Sequence, residues 1–142
     1  MKKSIFTLLF VAIGGMTMFA AQPKIWLLGD GTMAGWGKAF AEQVGATVEV
    51  KNIAQEGLSM KVLDEMGGLD SLIVDKTKKD FLLVQLGQND LNETNLDTYS
   101  SLDDFTQKLV ALLHAAEKKK MMVILCTPLA HPYYKEGVLI DR

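Results

Sequence analysis

The chain has 142 residues, with 15 Lys+Arg against 17 Asp+Glu and an apolar share of 49%. That acidic balance, with a single Arg in the chain, argues against a partner held by its nucleic-acid backbone. Cys126 is the only cysteine, so neither an internal disulfide nor a cysteine-based metal site is possible.

Lys2 and Lys3 precede a run from Ile5 to Ala21 that carries no charge. This is the n-region and h-region of a secretory leader, too short and wrongly flanked for a membrane span. Cleavage is expected after Ala20 or Ala21. Removal of residues 1–21 leaves 121 residues, 22–142, enough for one domain with a real core. It also leaves 13 basic against 17 acidic residues, a net charge of −4. The expectation is a secreted or periplasmic protein with no stable membrane span after cleavage.

Lys24 to Leu28 reads as a strand that stops at Gly29-Asp30-Gly31. Thr32 to Val44 reads as a helix, weakened by Gly35 and Gly37. Thr47 to Val50 is a β-branched strand, followed by a polar loop through Asn52 and Gly57. Two short helices are expected at Ser59–Met66 and Asp70–Lys76, broken at Gly67-Gly68. Phe81 to Leu86 is a third strand, ending at Gly87. Ser101 caps the clearest helix, whose apolar face is Leu102, Phe105, Leu109, Leu112, Leu113 and Ala116. Lys118, Lys119 and Lys120 close it, where the helix dipole favours cations. Met121 to Cys126 is the fourth strand, with no further strand expected after it. Strands alternating with helices imply βαβ units and a parallel sheet covered on both faces. In such sheets functional groups gather beyond the carboxyl ends of the strands, here Gly29–Thr32, Asn52–Ser59 and Gly87–Asp90.

Singly, each of these segments is as well explained by turn chemistry, with Asp30 or Thr32 as a helix cap and Asn89 and Asp90 as turn formers. The first loop fits neither a phosphate loop nor a dinucleotide fingerprint. In order, however, Gly29-Asp30-Gly31-Thr32-Met33-Ala34, Asn52-x-Ala54-x-x-Gly57-x-Ser59 and Gly87-Gln88-Asn89-Asp90 resemble the blocks of the SGNH (GDSL-type) hydrolases. With Gly35-Trp36-Gly37, Thr127-Pro128 and Glu136-Gly137, the chain most closely resembles the rhamnogalacturonan acetylesterase branch of that family. The resemblance implies a three-layer α/β/α, flavodoxin-like parallel sheet with strand order 2-1-3-4-5, of which four strands are present. It implies hydrolysis of O-acetyl esters on an acetylated oligo- or polysaccharide, without metal or cofactor. A serine attacks, a histidine takes its proton and an aspartate orients the histidine. The oxyanion donors implied are the backbone N–H of Gly31, the backbone N–H of Gly57 and the side-chain amide of Asn89.

Two departures bear on activity. Gly31 stands where the family has its nucleophilic serine, and loss of a triad nucleophile costs on the order of 10⁶ in kcat. The family's Asp-x-x-His block is absent. His114 lies in the long helix and reads as a surface residue. His131 falls in a strand-end loop, where that branch often has a substrate-facing basic residue; plain loop structure is its other reading. The fourth strand would be left at the sheet edge, so the chain reads as a C-terminally truncated domain of impaired activity. Two other classes stay open: a non-catalytic binder of acetylated sugars, and a flavodoxin-like nucleotide or flavin binder, the latter disfavoured by a first loop poor in Ser and Thr. The leader carries its own prediction. N-terminal sequencing of protein recovered from the cell envelope or medium should begin at Ala21 or Gln22, and a retained Met1 there would count against export.

Overall fold

A computed structural model describes residues 22–45, 47–74 and 79–128, together with the backbone of 133–135 and 138–140. Residues 1–21, expected to form the leader, lie outside the described residues, as do Ala46, residues 75–78, His131 and the Glu136-Gly137 stretch. The elements are β1 (Lys24–Gly29), α1 (Gly31–Val44), β2 (Glu49–Asn52), α2 (Met60–Glu65), α3 (Leu69–Leu72), β3 (Phe81–Gln85), α4 (Leu102–Lys118) and β4 (Met122–Leu125). All four strands are parallel, in the order β2-β1-β3-β4. Leu27 pairs with Asn52 on one side and Leu83 on the other, and Leu83 in turn with Ile124. The three-layer α/β reading therefore holds.

A strand with parallel neighbours on both sides must bury both faces. Leu27 and Leu28, adjacent and pointing oppositely, are both fully buried. Leu28 shares one face with Trp26, Leu82 and Val84, packed against Met60 and Leu63 of α2, Leu69 of α3, and Leu112 and Ala116 of α4. Leu27 faces α1. There Gly37 permits close approach, since a Cβ on it would lie 2.6 Å from Asn52 Nδ2 and 2.9 Å from Leu27 Cδ1. Gly37 is thus explained by packing, whereas a Cβ on Gly35 would meet nothing within 4 Å, and α1 begins at Gly31, a residue earlier than expected.

Other boundaries move too. β2 starts at Glu49 and runs to Asn52, because pairing with β1 rather than local β-branching sets its ends. Leu102 is exposed although it was placed on the apolar face of α4; it precedes the part of the helix that meets the core, where Leu112 and Ala116 are buried. Two short strands follow β4, contrary to expectation: β5 (Tyr133–Lys135) and β6 (Val138–Ile140), paired antiparallel outside the main sheet. Aromatic and β-branched residues on either side of a two-residue connection containing glycine are a hairpin signal. Beside β4 no further strand pairs among the described residues, and Met122, Ile124 and Leu125 are exposed. Among the described residues no helix is long and apolar enough to cross a membrane.

Asp80 clamps the amino-terminal edge of the sheet. Its carboxylate accepts from the Lys24 N–H at 3.1 Å and the Trp26 indole N–H at 3.0 Å, while its carbonyl accepts from the Met122 N–H at 2.8 Å. Three strands meet at this one residue. Asp80→Ala leaves two donors without their acceptor and should destabilise the fold by about 2–6 kcal/mol, at about 1–3 for each unpaired buried group. Urea unfolding followed by Trp fluorescence measures it, and an unchanged midpoint would show the clamp to be dispensable.

Candidate active site

The strand order places β1 between β2 and β3, so the loops leaving these three strands share one edge of the sheet. Asp30 caps α1, its Oδ1 accepting from the Thr32 N–H at 2.9 Å. Gly31 is thereby the first helical residue, with its N–H directed away from the helix body. The loop after β2 does not leave the sheet at once. Ile53 N–H donates to the Leu27 carbonyl and Gln55 N–H to the Gly29 carbonyl, both at 2.9 Å. Only then does the chain turn, through Gly57 with φ of +74°, a conformation that favours glycine.

The third loop is tied to the second. Asn89 Nδ2 donates to the Leu58 carbonyl at 3.0 Å, which leaves its other amide hydrogen available. A long contact of 3.5 Å joins Thr32 Oγ1 to Gln88 Oε1, linking the first loop to the third. Gly31, Gly57 and Asn89 thus lie in three loops that are hydrogen-bonded in a ring, Gly29 to Gln55, Leu58 to Asn89 and Gln88 to Thr32. Among the described residues, neither the Gly31 N–H nor the Gly57 N–H donates a hydrogen bond. Such an arrangement of open donors can receive an anion or a developing oxyanion.

Three further residues shape the site, and sequence reasoning did not assign them. Gln85, buried at the end of β3, accepts from the Trp36 indole N–H at 3.2 Å and donates to the Thr127 carbonyl at 3.2 Å. This gives Trp36 of the Gly-Trp-Gly stretch its partner. Asp90, read only as a turn former, is fully buried. Its Oδ1 accepts from the Met60 N–H at 2.8 Å and the Ser100 hydroxyl at 3.0 Å, while Oδ2 has no partner. Glu56 is the third. A Cβ built on Gly31 would overlap Glu56 Oε2 and sit 2.6 Å from Glu56 Cδ, so this carboxylate fills the volume of a side chain at position 31. Acidic residues beside a loop glycine are common, and the sequence offered no sign of that approach.

His114 is not brought to the site. It lies in the last turns of α4, which runs back toward the amino-terminal edge of the sheet, and its exposed ring pairs with Glu117 at 3.7 Å. The surface reading of His114 stands. A small crevice between α2, α3 and α4, lined by Met60, Leu69 and Leu112, lies beneath the helices rather than at the strand ends.

No family model matches the chain. It is similar to the probable rhamnogalacturonan acetylesterase YesY of Bacillus subtilis (strain 168), with 28% identity over 124 residues, 86% of this chain and 57% of the relative. It is similar also to the rhamnogalacturonan acetylesterase RhgT of the same organism, with 29% identity over 129 residues, 84% of this chain and 54% of the relative. Both matches support the resemblance to the SGNH (GDSL-type) hydrolases. It spans little more than half the length of the curated relatives it matches. Among solved structures the fold is shared with the acetyl xylan esterase AlAXEase, at 21% identity and a TM-score of 0.61, covering 74% of this chain and 58% of that one.

Asp90 supplies a pH test. Burial raises its carboxyl above the ordinary value of 3.8, against the pull of the Met60 N–H and the Ser100 hydroxyl. A proton retained on folding stabilises the folded state fully below the unfolded value and is lost as pH rises through the raised folded value. Asp90→Asn keeps an oxygen for both donors and cannot ionise. It should therefore gain stability relative to the parent as pH rises from below 3.8 to neutrality. Asp90→Ala orphans both donors and should cost about 2–4 kcal/mol at neutral pH. Urea midpoints across that range measure both, and a parent–Asn difference independent of pH would refute the raised carboxyl.

Proposed function

We propose that this chain carries the acyl site of an exported carbohydrate esterase acting on O-acetyl groups of pectic polysaccharide, in an impaired form. The observation that carries the reading is the ring of hydrogen-bonded loops that sets Gly31, Gly57 and Asn89 at one sheet edge with open N–H donors. Hydrolysis of an acetyl ester passes through a tetrahedral intermediate whose oxygen carries negative charge. Neutral, fixed donors stabilise that charge without titrating. The names of both curated relatives favour acetylated rhamnogalacturonan as the substrate class. Impairment follows from Gly31, which supplies a backbone donor and no nucleophilic oxygen.

Acetate release from acetylated rhamnogalacturonan and from acetylated xylan tests the reading. The rate should be low, higher on the pectic substrate, and reduced a further 10²–10³-fold, on the order of an oxyanion donor's worth, in Asn89→Ala. Gly31→Ser alone should not restore the rates of a serine esterase. Its side chain meets Glu56, and among the described residues no histidine reaches it. Triad members act as a unit rather than additively. Strong turnover by Gly31→Ser would show that a base is already in place and that the impairment lies in one residue.

A further inference from the structure

The volume vacated at position 31 is not empty. The heavy atoms nearest to a Cβ built there all belong to the Glu56 carboxyl, with Cδ at 2.6 Å and Oε1 at 3.0 Å and with Oε2 overlapping it. Glu56 is exposed, and among the described residues no hydrogen bond or ion pair occupies its carboxylate. It directly precedes Gly57, so the base-bearing residue and one N–H donor are adjacent on the same turn. A carboxylate free to accept a proton, placed where a nucleophile's side chain would stand and on the same turn as an open N–H donor, has the geometry of a general base toward a bound water.

We propose that Glu56 is the catalytic base of a serine-independent hydrolysis at this site, a role that rests on the acyl-site reading above. A Glu56 oxygen takes one proton from a water molecule as the water oxygen bonds to the acetyl carbon. The carbonyl π pair moves onto the carbonyl oxygen, which the Gly31 and Gly57 N–H groups and the Asn89 amide receive. Collapse of the intermediate breaks the bond from the acetyl carbon to the sugar oxygen, and that oxygen takes the proton back from Glu56. Acetic acid and a free sugar hydroxyl are the products, the acid losing its proton to solvent, and the carboxylate is regenerated. No covalent enzyme intermediate forms. Glu56 is neutral while the oxyanion is negative, so the two charges do not oppose one another in the transition state.

The test uses the purified chain with 4-nitrophenyl acetate, and parent, Glu56→Gln, Glu56→Asp and Asn89→Ala variants checked for folding by circular dichroism. The parent should turn over faster than an equal mass of inert protein. The rate should fall on acidification as a single ionisation. Glu56→Gln should lose at least about 10²-fold, the usual share of a general base, and the acid limb with it, while Glu56→Asp should retain the limb at a lower rate. No burst of nitrophenol should precede the steady state. A Glu56→Gln rate equal to or above the parent's would overturn the proposal and make the carboxylate an occupant that blocks the site. A parent rate at the blank would overturn it as well. Calorimetric binding of an acetylated rhamnogalacturonan oligosaccharide separates the two readings: binding that is lost in Asn89→Ala, with turnover at the blank, removes Glu56 as base and leaves the acyl site, whereas no binding and no turnover removes both.

Discussion

The buried carboxylate of Asp90 is the contact on which the geometry of the strand-end loops depends. It immediately follows Asn89, and through Met60 N–H it fixes the start of α2, two residues beyond Leu58, whose carbonyl holds the Asn89 amide. One side chain thereby sets the distance between the second and third loops from both directions. The cost is a carboxyl in a dry position with one oxygen unpartnered, a group that the interior favours in its neutral form. Ser100 completes the arrangement from the far side, drawing the end of the Asn- and Asp-rich loop under the site before α4 begins.

The sheet supplies the other half of the frame. β1 is the only described strand flanked by β2 and β3, and its two buried leucines lock it between opposite helix layers. Because Ile53 and Gln55 continue to donate to β1 after β2 has formally ended, the second loop inherits the rigidity of a strand up to Glu56. The residues with chemistry to perform are therefore carried on backbone that is held almost to its tip, with Gly57 as the pivot.

Much of this was legible in the residues. Apolar runs ending at Gly29 and Gly87, with helices between, are enough to give the parallel sheet and the edge from which the loops of Gly31, Gly57 and Asn89 leave it. Local patterns carried those elements. What stayed hidden depends on contacts between distant segments. Asp90 and Gln85 look like ordinary polar residues at strand ends, and only tertiary burial gives them partners 30 or 42 residues away. Glu56 reaches Gly31 from a different loop, an approach without any sequence period. The ends of β2 and the exposure of Leu102 were likewise decided by pairing and packing rather than propensity. The hairpin of β5 and β6 is readable from its β-forming flanks, but it stands outside the helix-and-strand alternation that ends at β4.

The overlap between Glu56 and a side chain at position 31 also couples the two positions. The atoms that a side chain at 31 would meet are the far end of an exposed glutamate, so a rotation of that side chain into solvent accommodates a serine. A serine at 31 thus brings a second change with it, the departure of a carboxylate from the strand-end edge. The effect of either substitution is therefore separable only in a double-mutant cycle with the other.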